Sequence, residues 1–150
     1  MAIDRWQDVA TDVQLWMGVA SLGDVDITLG LIMKPDYFVQ ALKQSCLDGA
    51  VQDCVESSRS PPGRKPRQEL IRISQWFNAL PASDREFVVA AMREACDATL
   101  FSVLCVIDGV RPIEPEGEKS QFKLFAARRG AESQISPNET YLHDLLRAEP

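Results

Sequence analysis

The longest segment with regular apolar spacing covers residues 83–109 and predicts the central helix of the fold. Its first half is amphipathic, whereas residues 100–107 carry no charge and are apolar on every side. A capping box formed by Ser83 and Glu86 predicts where the helix begins, and Gly109 predicts where it ends. We expect the other elements to pack around this helix, against apolar positions that include Phe87, Val88, Ala91, Ala95 and Ala98.

Apolar residues at helical spacing predict three further helices in the first half of the chain, at residues 4–20, 35–55 and 68–80. Pro35 suits the first position of the second of these helices, and Asp36 suits its positive end. Gly49 could interrupt it. Residues 24–33 fit a short strand or a short helix, and we favour a short helix packed on the core. Residues 57–67 are rich in proline and arginine and predict an exposed loop.

The C-terminal part has a different pattern. In residues 121–127 one face, Phe122, Leu124 and Ala126, alternates with another, Lys123, Phe125 and Ala127. Residues 132–135 follow the turn at Arg129-Gly130, so we predict a small β-hairpin. A second capping box, Ser136 with Glu139, predicts a terminal helix over residues 137–147, with Tyr141 and three leucines facing inward. The sequence therefore predicts an α+β fold, predominantly α, of about five helices around the central one.

Composition indicates a single domain over residues 1–150, because this length can bury a core without disulfides or metals. The acidic N-terminal residues do not look like a signal peptide, and the apolar run is too short for a membrane span, so we expect a cytoplasmic protein without a membrane partner. The four cysteines are expected to be reduced, buried thiols, although pairs between helices remain possible.

The net charge of −6 is unevenly distributed. Residues 1–56 contain nine acids and three bases, residues 57–80 one acid and five bases, and residues 81–150 twelve acids and eight bases. This distribution argues against nucleic acid as the partner and favours a basic protein surface. Solubility alone is the alternative explanation.

Three aspartates at four-residue spacing, Asp4, Asp8 and Asp12, lie on one face of the predicted first helix. Like charges at this spacing cost a helix a few tenths of a kcal/mol per pair, so the row suggests a partner that compensates for them. Ordinary solubility could also explain the row. The residues predicted to contact a partner are Asp4, Trp6, Asp8, Asp12, Asp24 and Asp26, with Trp6 as an aromatic anchor or a core residue.

The sequence contains no recognisable catalytic, cofactor or metal motif. His143 has Asp144 beside it, but adjacent helical residues point about 100° apart, so a surface or capping histidine is the expected role. The segment Asp24-Val25-Asp26 resembles a D-x-D cation site, but a solvated turn is the preferred interpretation. The phosphate-binding glycine loops and the C-x-x-C zinc motif are absent. The bases of residues 57–67 could contact phosphates, yet a solvated loop explains them better.

One block of the sequence resembles a known type of protein. The segment WFNALPASDREFVVAAMREACDATLFSVLCVIDGVRPIE, followed by FKLFAARRG and YLHDLL, resembles small bacterial proteins of the toxin-immunity type. The resemblance covers about the C-terminal half of the chain. It implies a mostly helical bacterial protein that acts by binding a cognate toxin.

The leading hypothesis is an immunity or inhibitor protein that binds a toxin enzyme one-to-one and blocks its active site through an acidic face, without catalysis or cofactor. The first alternative is a small enzyme whose site is assembled from Glu86, Asp97, Asp108 and His143. The second is a homo-oligomeric adaptor that buries part of the apolar surface of residues 100–107 between copies. The sequence leaves the oligomeric state open.

Overall fold

The computed structural model describes residues 33–148, which belong to a compact unit that spans Ile32–Pro150. The predicted helix of residues 4–20 and nearly all of the ambiguous segment 24–33 lie outside the described residues. The single-domain organisation of residues 1–150 therefore stays a prediction.

The second predicted helix begins at Pro35 as expected. It consists of α1 (Pro35–Leu42), a π-helical segment (Lys43–Asp48) and α2 (Gly49–Arg59), which follow one another without a break. Gly49 has ordinary helical dihedral angles, φ −60° and ψ −45°, so the irregularity is the π-helical segment before it rather than the glycine. The exposed loop begins at Ser60 and not at residue 57, because α2 continues to Arg59.

Helix α3 (Gln68–Ala79) agrees with its prediction and packs against α2. Two of its polar side chains hold the end of α2. Ser74 Oγ and Asn78 Nδ2 each donate a hydrogen bond of 2.9 Å to the carbonyl oxygen of Arg59. These bonds satisfy a carbonyl that has no partner within its own helix.

The central helix, α4 (Ala82–Ile107), begins one residue before the predicted start. The Ser83–Glu86 capping box is wrong, because Pro81 occupies the N-cap and Ser83 already lies inside the helix, where its hydroxyl donates to Asp84 Oδ1 at 3.2 Å. The predicted stop at Gly109 is confirmed. Gly109 has φ +74°, and its N–H donates to Val106 O while the N–H of Val110 donates to Cys105 O, both at 3.0 Å. This pair of bonds is a Schellman motif.

The predicted hairpin is confirmed as β1 (Leu124–Arg128) paired antiparallel with β2 (Ala131–Ser136). Arg129 and Gly130 form the two-residue turn, with φ 51° and 81°, as a type I′ connection requires. Leu124 and Ala126 point toward the core and Phe125 and Ala127 toward solvent, which is the predicted alternation.

The terminal helix is much shorter than predicted. It is α5 (Leu142–Arg147), and the Ser136–Glu139 capping box is wrong. Ser136 is the last residue of β2, and its hydroxyl donates to Asp108 instead of to a helix N–H. Tyr141 precedes α5 and is 48% exposed, so it does not face inward.

The hydrophobic core lies at the C-terminal end of α4, where α1, β2 and α5 meet it. Its buried members are Val39, Leu104, Ile135, Leu142 and Leu146. The expectation that α4 is covered all round is wrong: Phe87 is 76% exposed and Val103 50% exposed.

In the first half of α4, the face that was predicted to point toward the core is exposed to solvent. Ala91, Ala95 and Ala98 are exposed, whereas the half-buried side chains include Val88, Val89 and Met92. Branched and long side chains remove more apolar area from water than alanine does, so the orientation that buries them is favoured. Val88, which was grouped with the alanines, belongs to the inner face.

The fold class is confirmed as α+β, predominantly α, with a small antiparallel hairpin near the C-terminus. Across the part of the chain that the structure describes, no helix has the length and apolar character that crossing a bilayer requires.

Candidate functional site: the Asp108–His143 pair

A buried carboxylate marks the point where α4, β2 and α5 meet. Asp108 is the C-cap residue of α4, and its side chain is only 2% exposed. Its Oδ1 accepts a hydrogen bond of 3.2 Å from Ser136 Oγ. Its Oδ2 accepts one of 3.0 Å from the backbone N–H of His143 and one of 2.7 Å from His143 Nδ1. A carboxylate can be buried at acceptable cost when several donors surround it in this way.

The local sequence explains how Asp108 reaches these partners. The Schellman motif at Gly109 ends α4 directly after Asp108, so the carboxylate stands at the helix end rather than along its side. His143 is the second residue of α5, and its N–H has no acceptor within that helix. Asp108 therefore caps α5 from a distant part of the chain, a role that a local side chain usually fills.

Two aromatic rings contact the ring of His143. Its side chain is 15% exposed. The Tyr141 ring stacks on it with centroids 5.3 Å apart, and Phe101 forms a T-shaped pair with it, with centroids 5.6 Å apart and an interplanar angle of 89°. These two ring contacts and the hydrogen bond at Nδ1 leave this imidazole little freedom to rotate.

The hydrogen bond also determines the tautomer of the neutral ring. A carboxylate oxygen can only accept, so Nδ1 carries the hydrogen and Nε2 keeps its lone pair. Asp144, which is 62% exposed, has its Oδ1 3.5 Å from Nε2. A carboxylate that accepts from Nδ1 is one part of the arrangement in which histidine acts as a general base. Here a second carboxylate, that of Asp144, lies beside Nε2.

An ion pair borders this histidine. Arg147 Nη1 lies 2.6 Å from Asp97 Oδ2, and its guanidinium lies over the Phe101 ring at 4.7 Å from the centroid. Phe101 therefore contacts both His143 and Arg147. The Asp97 side chain is 23% exposed, so this ion pair is partly shielded from solvent.

The structure brings together three of the four residues named for a scattered enzyme site. Asp108 and His143 are in direct contact. Asp97 is connected to them indirectly, because it pairs with Arg147, which lies over Phe101, and Phe101 contacts His143. Glu86 is exposed in the first turns of α4 and takes no part. The surface or capping role expected for His143 is wrong, because its ring donates a hydrogen bond to Asp108, which lies 35 residues earlier in the chain.

One sequence signal could have identified this pair. Asp108 is the first charged residue after the apolar run of residues 100–107, so its carboxylate is carried to the edge of the core and needs a donor there. Several donors in the C-terminal part could have met that need, so the sequence did not single out His143.

The remaining predictions about chemistry have mixed outcomes. The six predicted partner contacts, Asp4, Trp6, Asp8, Asp12, Asp24 and Asp26, lie outside the described residues. The four cysteines are free, but Cys46 and Cys54 are exposed rather than buried, because both lie on the outer side of the helix that starts at Pro35. In the part of the chain that the structure describes, no three side chains of His, Cys, Asp or Glu are grouped so that they could hold a metal ion.

A carboxylate in the loop after α4 has an altered pKa. Glu114 accepts hydrogen bonds of 2.6 Å from both the hydroxyl and the backbone N–H of Ser120. These bonds favour the charged form and lower the pKa of Glu114, with the side-chain bond as the larger cause. The two residues close this loop.

Comparisons with known proteins add no relative: no protein-family model, no curated protein and no solved structure matches this chain. The resemblance to toxin-immunity proteins therefore stays a prediction.

Proposed function

We propose that this chain is an immunity or inhibitor protein that binds a cognate toxin enzyme in the cytoplasm and blocks its active site through an acidic face. The observation that carries the proposal is the excess of acids in residues 1–56, nine against three bases. An acidic surface attracts a basic cleft and excludes the anionic substrate of that cleft.

The described residues support this proposal on two counts. Asp36, Asp53 and Glu56 are exposed carboxylates on α1 and α2, so the acidic character extends beyond the predicted contacts. On α3, Ile73 and Trp76 lie one turn apart and are 42% and 53% exposed. Exposed tryptophan is typical of the residues that dominate binding energy at protein interfaces.

The test is binding of the tagged protein to the product of a neighbouring gene, measured by titration calorimetry at low and high salt. We expect nanomolar affinity that weakens as salt rises, because salt screens charges on the two surfaces. The double charge reversal of Asp8→Lys and Asp12→Lys should weaken binding at least tenfold. Asp144→Lys, a reversal at an exposed acid far along the chain, is the matched control and should leave affinity unchanged. Failure of every neighbouring product to bind would contradict the proposal.

The Asp108–His143 pair favours a second candidate function, a small hydrolase with His143 as general base. Here Asp108 would hold the ring, and Nε2 would take a proton from the attacking water. Hydrolysis of an activated ester such as p-nitrophenyl acetate is the simplest assay. His143→Gln should then reduce the rate by about 100-fold or more, the usual contribution of a general base. Equal rates for His143→Gln and the unchanged protein would exclude this function.

A further inference from the structure

Strand β1 has one edge that is not hydrogen-bonded to any described element. The sheet has two strands, so β1 pairs with β2 on one side only. Within residues 33–148, residues 121–129 take part in no hydrogen bond outside the hairpin ladder. We call the side of Leu124–Arg128 that is turned away from β2 the β1 edge.

The hairpin turn identifies the backbone groups that lie on the β1 edge. Arg128 and Ala131 flank the two-residue turn, and in such a hairpin the flanking residues exchange hydrogen bonds. Bonded and non-bonded pairs then alternate along an antiparallel ladder. The N–H and C=O groups of Ala127 and Phe125 are therefore directed away from β2, with the spacing that a further strand requires.

The side chains along the β1 edge are basic. Lys123 precedes β1, Arg128 is its last residue, and Arg129 follows in the turn. Residues 121–130 contain no acid, although the chain has a net charge of −6. None of the three bases forms an ion pair in the part of the chain that the structure describes. The acid of the hairpin, Glu132, lies on β2, one strand away from this edge.

Exposed apolar side chains lie beside these bases. Phe125 is 49% exposed on β1, and Phe122, just before the strand, is 40% exposed. Phe122 lines a cavity of about 160 Å³ together with Ile113, which is 63% exposed. Grouped apolar side chains that remain exposed are typical of a surface that binds another molecule.

The charge of the β1 edge determines which kind of strand it accepts. Pairing with the β1 strand of a second copy would place the three bases of each copy along one shared edge without any acid between them. Like charges opposite one another destabilise a sheet, and lysine at an edge is a common protection against such self-pairing. The same bases attract a strand that carries acids.

We propose that the β1 edge binds an extended acidic segment of a partner protein, which adds a third strand to the hairpin. The backbone of the segment bonds to Phe125 and Ala127, and its acids lie near the bases of the β1 edge. Recognition of this kind takes its affinity from main-chain hydrogen bonds and its specificity from side chains. It is independent of the proposed inhibitor function, because the predicted inhibitor contacts attract a basic surface and the β1 edge attracts an acidic one.

A synthetic peptide tests the main-chain bonds. The probe is a labelled seven-residue peptide in which glutamate and valine alternate and both ends are blocked, and its binding to the full chain is followed by fluorescence polarisation. The control is the same peptide methylated at every backbone nitrogen, which keeps the charge but cannot donate hydrogen bonds. We expect saturable binding of the first peptide and binding at least tenfold weaker for the second. Equal affinities would show that charge alone attracts the peptide, and absence of binding at millimolar peptide would equally overturn the proposal.

A substitution in the protein tests the same bonds from the other side. Ala127→Pro removes an N–H of the β1 edge but no bond to β2, and proline is tolerated at such edge positions. It should weaken binding of the unmethylated peptide at least tenfold while the circular dichroism spectrum stays unchanged. Ala127→Val keeps the N–H and is the matched control, with unchanged affinity expected. Undiminished binding by Ala127→Pro would contradict the proposal.

Charge reversal tests the preference for acids. The double variant Lys123→Glu/Arg128→Glu should weaken peptide binding about tenfold or more, because it places acids opposite acids. The matched control is Lys43→Glu/Arg72→Glu, which makes the same change at exposed bases of the π-helical segment and of α3. Equal losses in the two double variants would mean that the net charge of the chain, and not the β1 edge, attracts the peptide.

Hydrogen exchange of the full chain, followed by NMR, locates the bound segment. The amide of Ala126 bonds to β2 and should exchange slowly, whereas the amides of Phe125 and Ala127 should exchange fast. Addition of the peptide should slow the exchange of these two. Protection of both before the peptide is added would show that a second copy or another part of the chain already covers the β1 edge, and it would overturn the proposal.

Discussion

At the scale of single residues, Asp108 connects three segments that are distant in the sequence. Its carboxylate accepts hydrogen bonds from the end of β2 and from the start of α5, while its own backbone ends α4. A buried carboxylate is unfavourable by itself, so its net effect depends on the donors that surround it. Removing it leaves those donors without an acceptor inside the protein.

Asp108→Ala should therefore lower the free energy of unfolding by about 3 kcal/mol, because it leaves the hydrogen-bond donors around the buried carboxylate without an acceptor. Asp108→Asn keeps one carbonyl acceptor and should cost less. Urea unfolding followed by circular dichroism measures both. Asp144→Ala is the matched control, because its carboxylate is 62% exposed and 3.5 Å from the same ring, and it should change stability by less than about 0.5 kcal/mol. Equal losses at both aspartates would show that burial is not the cause.

Glu114 gives a pH-dependent prediction. Hydrogen bonds from Ser120 lower its pKa in the folded protein, so its contribution to stability is present above the unfolded pKa. This contribution is lost as the pH falls through the lower, folded value. An NMR titration of the Glu114 carboxyl should show the lowered pKa, and Ser120→Ala should move it back toward the ordinary range. An unchanged titration in Ser120→Ala would contradict this assignment.

At the scale of elements, the ends of α4 and the turn of the hairpin are determined by backbone conformation rather than by side-chain caps. Pro81 begins α4 without a capping hydroxyl, and Gly109 ends it in the left-handed region. The turn between β1 and β2 uses the same region at Arg129 and Gly130. Glycine adopts this conformation at little cost, whereas other residues are strained in it.

The two glycines at helix positions should therefore respond oppositely to alanine. Gly109→Ala should destabilise the protein by about 1 kcal/mol, because φ +74° is unfavourable for a residue with a Cβ. Gly49→Ala should stabilise it by up to about 1 kcal/mol, because Gly49 is helical and a Cβ there meets nothing within 4 Å. Thermal unfolding of both variants measures the difference. Destabilisation by both would mean that the π-helical segment before Gly49 needs the glycine.

At the scale of the whole molecule, the core is concentrated at one end of the long helix. Leu104 and Leu142 are fully buried at 0% exposure, and the neighbouring β2 contributes Ile135 at 1%. The first half of α4 is covered on one side by α2 and the π-helical segment, where Arg93 Nη2 lies 2.6 Å from Asp48 Oδ1. Within the described residues, the cluster at the C-terminal end of α4 is therefore accompanied by a second buried set outside it, formed by Leu47, Val51 and Phe77.

Leu104→Ala should lower the free energy of unfolding by about 3 kcal/mol, within the range for fully buried leucines. Ile73→Ala is the control, because Ile73 is 42% exposed on α3 and should cost less than about 1 kcal/mol. Chemical denaturation at low protein concentration keeps self-association out of the comparison. Similar losses at both positions would mean that burial does not determine the cost of these truncations.

The sequence by itself determined the elements whose signals are local. Periodic spacing located α3 and the helix that begins at Pro35, and the glycines at positions 109 and 130 marked a helix end and a hairpin turn. Alternation identified the inner face of β1. These features depend on backbone preference and on the direction of neighbouring side chains, both of which are contained in a few consecutive residues.

Only the tertiary structure decided which surfaces are covered and which polar groups meet. Periodicity predicted that Phe87 and three alanines of α4 face inward. In the structure α4 packs against α2, its larger side chains Val88, Val89 and Met92 are half-buried, and Phe87 and the alanines are exposed. The sequence predicted that Ser136 caps a helix, whereas its hydroxyl donates a hydrogen bond to the buried Asp108. His143 was expected to be a surface or capping histidine, whereas the fold places its ring against Asp108. In each case several partners compete for one group, and the sequence does not contain the distances that decide between them.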